Sequence, residues 1–295
     1  VLSTLINLPM NYIFIYGKLG LPAMGGVGCG WATSISNGVA AAALLVYLNR
    51  SRVYRQFHLI SDWVKPDLAG IRYILGIGVP IGFTIFVEAS LFSVIALFLA
   101  PLGPVVVAGH QIALNVVSLL FMLPLSIGMA LTLRVSFLIG ARAPATARLI
   151  SRSSLILAAA TALVFAILLF VFSREIAALY TSDTEVQAVT VRLLMFAALF
   201  QIADVIQVTC ISALRGYKDT RIPMFIMLFS FWGVGMPLGY VLTFMDWLVP
   251  AMGAAGFWVG LTGGLASASI LLGCRLFLFA PNSDQAVSAA SSGVR

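Results

Sequence analysis

The sequence predicts an all-α membrane protein, a polytopic bundle of about eight transmembrane helices. Three observations carry that prediction. Apolar residues make up 61% of the 295 positions and charged residues only 9%, far from the balance of a water-soluble domain. The apolar residues fall in long unbroken stretches. No segment shows the alternating ten-residue pattern of an outer-membrane barrel.

The stretches can be taken in order. Residues 30–48, 73–100, 105–133, 153–173, 193–214, 222–245 and 252–279 are each long enough to cross roughly 30 Å of hydrocarbon at about 1.5 Å per residue. Residues 1–16, "VLSTLINLPMNYIFIY", form a shorter candidate. The internal Gly and Pro of "GIGVP" and "GMPLG" predict breaks within their helices rather than phosphate cradles, because no strand precedes them.

Charge sits between the stretches. Loop 49–72 carries Arg50, Arg52, Arg55, Lys65 and Arg72; loop 140–152 carries Arg142, Arg148 and Arg152; loop 215–221 carries Arg215, Lys218 and Arg221. The alternate connections are poor in bases. The net charge of +7 is therefore an orientation signal, not a nucleic-acid surface. It predicts an inner (plasma) membrane protein with basic loops and C-terminus in the cytoplasm. Cys29, Cys210 and Cys274 stand apart with no metal or disulfide spacing. No Gly-Lys-Ser/Thr nucleotide loop or Ser-His-Asp arrangement is found, so neither an enzyme nor a cofactor is expected.

The chain contains an internal repeat. "PMNYIFIYGKLGLPAMGGVG" (9–28) aligns without gaps to "PLGYVLTFMDWLVPAMGAAG" (237–256), at a constant offset of 228 residues. Duplication of this kind is frequent in transporters. An even number of spans between the copies gives them one orientation, so a complete pair of lobes would need roughly 450 residues. The expectation is that about four helices precede Val1. Residues 1–48 are then the last two helices of a first six-helix lobe and 49–70 a cytoplasmic connector. Residues 71–280 form a second six-helix lobe, and 281–295 a polar, disordered tail.

Two acids stand deep in apolar surroundings, Glu88 in "IFVEASLFS" and Asp204 in "QIADVIQ". An acid at mid-helix costs about 2.5–3.5 kcal/mol on insertion scales. The sequence offers no buried Lys or Arg at that depth to pair with either. In the plainer reading each acid is protonated and hydrogen-bonded to neighbours such as Ser90, Gln201 or Gln207. In the functional reading a travelling cation, H⁺ or Na⁺, is the counter-charge, and carboxylate oxygens suit both. Gln201 and Gln207 share the face of Asp204, and Gln111 and Asn115 lie four apart on the next helix. These amides are expected either to line a cavity or to join helices. Asn7 and Asn11 flank Pro9 on one face. His110, near the end of its helix, is expected to be structural or interfacial.

These residues together resemble the multidrug and toxic compound extrusion (MATE) family, in its NorM-like branch. The matching stretches are "LPMNYIFIYGKLGLPAMGGVGCGWAT" (8–33), "GVPIGFTIFVEASLF" (78–92), "VAGHQIALNVVSLLFMLPLSIGMALTLRVSFLIGA" (107–141) and "ADVIQVTCISALRGYKDTRIPM" (203–224). The resemblance implies a twelve-helix antiporter of two lobes around a cavity, exchanging organic cations and other amphipathic toxicants for Na⁺ or H⁺. It implies that Glu88 and Asp204 are the cation-coupling acids of the second lobe, with Na⁺ as one candidate ion there. Asn7 and Asn11 match polar positions joining a first-lobe cation site. Some NorM-like members carry an acid on the last helix; residues 252–279 contain none. Small-molecule substrates, a surrounding bilayer and a monomer are expected. The alternatives are a lipid-linked oligosaccharide flippase of the same broad superfamily, or a non-transporting membrane scaffold.

Overall fold

In hydrocarbon a backbone amide must find its partner within its own helix, and the architecture follows from that constraint. The computed structural model describes residues 2–18, 20, 22–51, 67–246 and 250–278. Among these residues the regular structure is entirely helical, and seven helices are long and apolar enough to span a membrane. The expected connector 49–70 lies mostly, and the tail 281–295 wholly, outside the described residues.

The chain divides into two units, residues 1–68 and 69–295. The first holds α1 (Leu2–Tyr16) and α2 (Gly25–Arg50). The second begins with α3 (Leu68–Leu99), which a 3₁₀ turn joins to α4 (Pro104–Gly140). Gly103 makes that corner at φ 101°, and Pro104 opens the next helix. There follow α5 (Pro144–Val171), the short α6 (Ser173–Tyr180) and α7 (Thr184–Gly216). Asp183 caps α7, its carboxylate accepting from the amides of Glu185 and Val186. The next span is composite: α8 (Arg221–Leu228), a π-helical stretch Phe229–Gly235, and α9 (Met236–Phe244). The last helix is α10 (Ala254–Leu278).

Helix α7 is the hub of the second unit. It packs against α4, α5 and α10, and half of its apolar window is buried, the largest share of any span. That explains why its polar residues matter: they point into protein on almost every side.

Three expectations are corrected. Helix α3 runs unbroken through Gly76, Gly78 and Pro80; Thr84 Oγ donates to the Pro80 carbonyl at 2.8 Å, and a Pro inside a membrane helix is tolerated. The connection between α4 and α5 is only 141–143, so Arg148 and Arg152 are helical. Arg215 is not in a loop but in the last turn of α7. Apolar length marks only the hydrocarbon-crossing part of a helix, and long basic side chains let the helix continue beyond it.

The repeat seen in sequence is also a repeat in geometry. Gly25 and Gly253 both turn at positive φ, 54° and 60°, where Gly alone is unstrained. The amide of Met24 donates to the Phe14 carbonyl at 3.0 Å, and that of Met252 to the Leu242 carbonyl at 2.9 Å. A Cβ on Gly28 would lie 2.7 Å from the Phe14 backbone, and one on Gly256 2.6 Å from that of Leu242. Every pair differs by 228 residues. The two helix–turn–helix segments are thus built by the same three devices.

Candidate cation site

The site is set by the register of α3 against α7. The Phe92 and Phe200 rings meet edge to face at 6.4 Å between centroids. Further along, Ile81 and Thr84 share a crevice with Ile211 and Arg215. Residue numbers rise on one helix as they fall on the other, so the two are antiparallel. Glu88 lies one turn from Phe92, and Asp204 one turn from Phe200, both toward the 217–220 connection. The two acids therefore occupy one level, and each acts electrostatically on the other.

Asp204 is buried, with 3% of its surface exposed, and Glu88 is half-buried. Among the described residues neither carboxylate accepts a hydrogen bond, and neither lies within 4.0 Å of a base. The ion pair recorded there is Arg275 to Asp219, at 2.9 Å. Of the three neighbours named as hydrogen-bond partners by the plainer reading, two are engaged elsewhere and none is bonded to an acid. Ser90 Oγ donates to the Val87 carbonyl, and Gln207 Nε2 approaches Met227 Sδ at 3.1 Å. The Gln201 amide is buried with neither of its polar atoms paired.

On the far side of the acids an aromatic seam closes the unit. Phe200 meets Trp258 edge to face at 5.6 Å between centroids. Trp258 Nε1 donates to His110 Nδ1 at 3.3 Å. His110 is fully buried, a core residue rather than an interfacial one. Beside Glu88, Trp232 Nε1 from the π-helical stretch donates to the Val87 carbonyl at 3.4 Å. The π-helical stretch lies close against α10: a Cβ on Gly235 would sit 3.3 Å from the Gly260 carbonyl oxygen.

Among the described residues no base pairs with either acid, but one lies within electrostatic range. Arg215 and Glu88 act on one another electrostatically. Arg215 is half-buried, and its Nε is buried without a partner. A basic residue at a helix end ordinarily marks orientation, so only packing could reveal this one.

The remaining sequence candidates divide. Gln111 and Asn115 are exposed on the surface of the second unit, and Asn115 Oδ1 accepts from the Tyr180 hydroxyl at 2.8 Å. Among the described residues neither is hydrogen-bonded to an acid. In the first unit Asn11 Nδ2 donates to Asn7 Oδ1 at 2.7 Å, and Asn7 Nδ2 donates to Thr33 Oγ at 3.4 Å. Asn11 Oδ1 is buried and unpaired. A chain of polar oxygens with one free acceptor suits a hard cation. Thr33, on α2, is the member sequence spacing did not suggest.

With this geometry in view, known proteins decide the family. A model of the MatE family matches residues 80–241, more than half of the chain and the whole of the Glu88–Asp204 region. The chain belongs to the MatE family. A MatE relative from Idiomarina loihiensis, described as a probable multidrug resistance protein NorM, is 44% identical over 275 residues, 93% of this chain and 60% of its own. The multidrug resistance protein PmpM of Pseudomonas aeruginosa is 46% identical over 272 residues, 92% of this chain and 57% of its own. The crystal structure of the eukaryotic MATE transporter AtDTX14 superposes with a TM-score of 0.86 at 21% identity, covering 99% of this chain and 63% of that one. The MatE fold is therefore shared. The chain spans about 60% of the length of the curated relatives it matches.

Proposed function

We propose that this chain is the greater part of a cation-coupled antiporter that exports amphipathic or cationic small molecules by alternating access. The observation carrying the proposal is the pairing of Glu88 and Asp204 at one level with no hydrogen-bond or ion-pair partner. Two carboxylates so placed repel each other and lack solvent, and a positive charge entering between them relieves both costs. The relatives, multidrug resistance proteins, suggest the substrate class.

Coupling requires that cation and drug favour different states of the transporter. In this reading H⁺ or Na⁺ arrives from outside, neutralises the acids and stabilises the state that releases drug outward. A cationic drug then competes for the same carboxylates from the cytoplasmic side, which makes the exchange obligatory. The basic connections and the C-terminus are cytoplasmic in this scheme, and the membrane is the inner one. Asn7, Asn11 and Thr33 would provide a second, neutral set of oxygens in the first lobe. Gln201, buried and unpaired, is available to a bound cation or drug. The flippase alternative, which needs several bases for a pyrophosphate, is disfavoured, because Arg215 already lies in the field of a carboxylate.

The test is dye efflux from proteoliposomes holding the complete transporter, with Na⁺ and proton gradients imposed one at a time. Efflux driven by one of the two supports the proposal and names the ion. Efflux indifferent to both, at unchanged dye gradient, refutes it.

A further inference from the structure

We propose that Arg215 is a tethered positive charge standing near Glu88 without pairing to it, with which the travelling cation competes for the carboxylate, and that Arg215 therefore sets the cation concentration at which the cycle runs. The proposal rests on the antiport reading above and adds a residue to it that neither orientation nor motif suggested.

The geometry begins with the crevice that Arg215 and Ile211 form with Ile81 and Thr84 of α3. Thr84 is one turn from Glu88 on the same face. Helical side chains lean toward the N-terminus of their own helix. Because α3 and α7 are antiparallel, Glu88 leans toward Arg215 and Arg215 leans toward Glu88. By the register that pairs Phe92 with Phe200, the two backbones lie about 16 Å apart along the helices at about 1.5 Å per residue. An extended arginine and a glutamate close most of that distance. The Phe92–Phe200–Trp258 seam blocks the opposite direction.

The electrostatics agree. Glu88 is the charged group acting on Arg215, and Arg215 acts on Glu88. The acid nearest to Arg215 in sequence, Asp219, is already bound to Arg275. Lys218 is turned to the Tyr73 hydroxyl at 2.7 Å. Asp204 lies three turns away on α7 itself. Arg215 Nε is buried with no acceptor, and an unpaired buried donor is costly enough that native structures rarely keep one without use. Two carboxylates and one guanidinium leave a single negative charge uncompensated. One monovalent cation completes the balance, and at Glu88 it competes with the guanidinium.

The prediction is competition. In the complete transporter, Arg215→Gln removes the competitor, and the half-saturating cation concentration for dye efflux falls about tenfold, as expected for unit charges separated by a few ångströms in a partly buried site. Arg215→Lys keeps the charge on a shorter stem and lowers the value about threefold. The folded yield and the half-saturating concentration of an uncharged dye, which does not compete for the carboxylates, stay constant; a merely structural role would not leave both untouched. Arg275→Gln, which breaks the Asp219 pair instead, leaves the cation dependence as it was. An Arg215→Gln value within twofold of wild type overturns the proposal. Should that variant fail to accumulate, an unchanged Arg215→Lys value overturns it equally. Glu88→Gln separates this inference from the one beneath it. If Glu88→Gln keeps its cation-driven efflux, the antiport reading has failed; if it loses it while Arg215→Gln shifts nothing, only the role of Arg215 has.

Discussion

Glu88 and Asp204 stand opposite each other on antiparallel helices, each one turn from the Phe92–Phe200 contact that fixes their register. Neither is hydrogen-bonded or ion-paired to a described residue. Two like charges held this way destabilise the protein that carries them, a cost that a bound cation offsets in the proposed cycle. Asp204→Asn should therefore stabilise the cation-free protein by about 1–2 kcal/mol while impairing transport, the trade expected at a functional site. Thermal unfolding in detergent without Na⁺ measures it; a lower melting temperature than wild type counts against the account.

The duplicated turn makes a second prediction. Gly256→Ala forces a Cβ to 2.6 Å from the Leu242 backbone, where nothing flexible can give way, and should cost about 2–3 kcal/mol. Gly28→Ala meets the equivalent Phe14 backbone at 2.7 Å and should behave alike. Gly273→Ala, on the same helix as Gly256 but with nothing within 4 Å of the added carbon, should be neutral or gain up to about 1 kcal/mol from helix propensity. Melting temperatures of the three variants decide the matter.

A third concerns His110. Trp258→Phe keeps the aromatic packing but leaves His110 Nδ1 buried and unpaired, at a cost of about 1–3 kcal/mol. His110→Leu in that background removes the orphaned acceptor and should recover part of the loss. A double-mutant cycle on unfolding free energy reads the coupling directly; strict additivity would mean that the 3.3 Å contact contributes nothing.

The Arg275–Asp219 pair should matter little by comparison. Its side chains are 26% and 13% exposed, so solvent and salt screen it, and Asp219→Asn should cost at most about 1 kcal/mol. Raising the ionic strength should shrink that difference further, and a loss of several kcal/mol would show that the pair is better insulated than its exposure implies.

Much of this was legible in the sequence because membrane helices are written in composition. All seven predicted spans correspond to helices, and the offset of 228 residues reappears in the turns at Gly25 and Gly253. Glu88 and Asp204 stood out because a charge within an apolar run is expensive. What could not be read was whatever depends on two helices at once. Arg215 has the spacing of an ordinary orientation signal, and its approach to Glu88 exists only through the register of α3 and α7. The place of His110 along α4 left structural and interfacial roles open; its contact with Trp258, 148 residues away, makes it structural. The π-helical stretch Phe229–Gly235 contains no proline to announce it; it coincides with the close approach of Gly235 to α10. Gln111 and Asn115 share a face as their spacing said, and that face is exposed on the second unit.

The most direct measurement is cation-driven dye efflux from proteoliposomes containing the complete transporter with Glu88→Gln and Asp204→Asn combined. The account predicts efflux reduced to the rate seen with no ion gradient, at normal folded yield. Efflux that still follows the imposed Na⁺ or proton gradient as in wild type would contradict it.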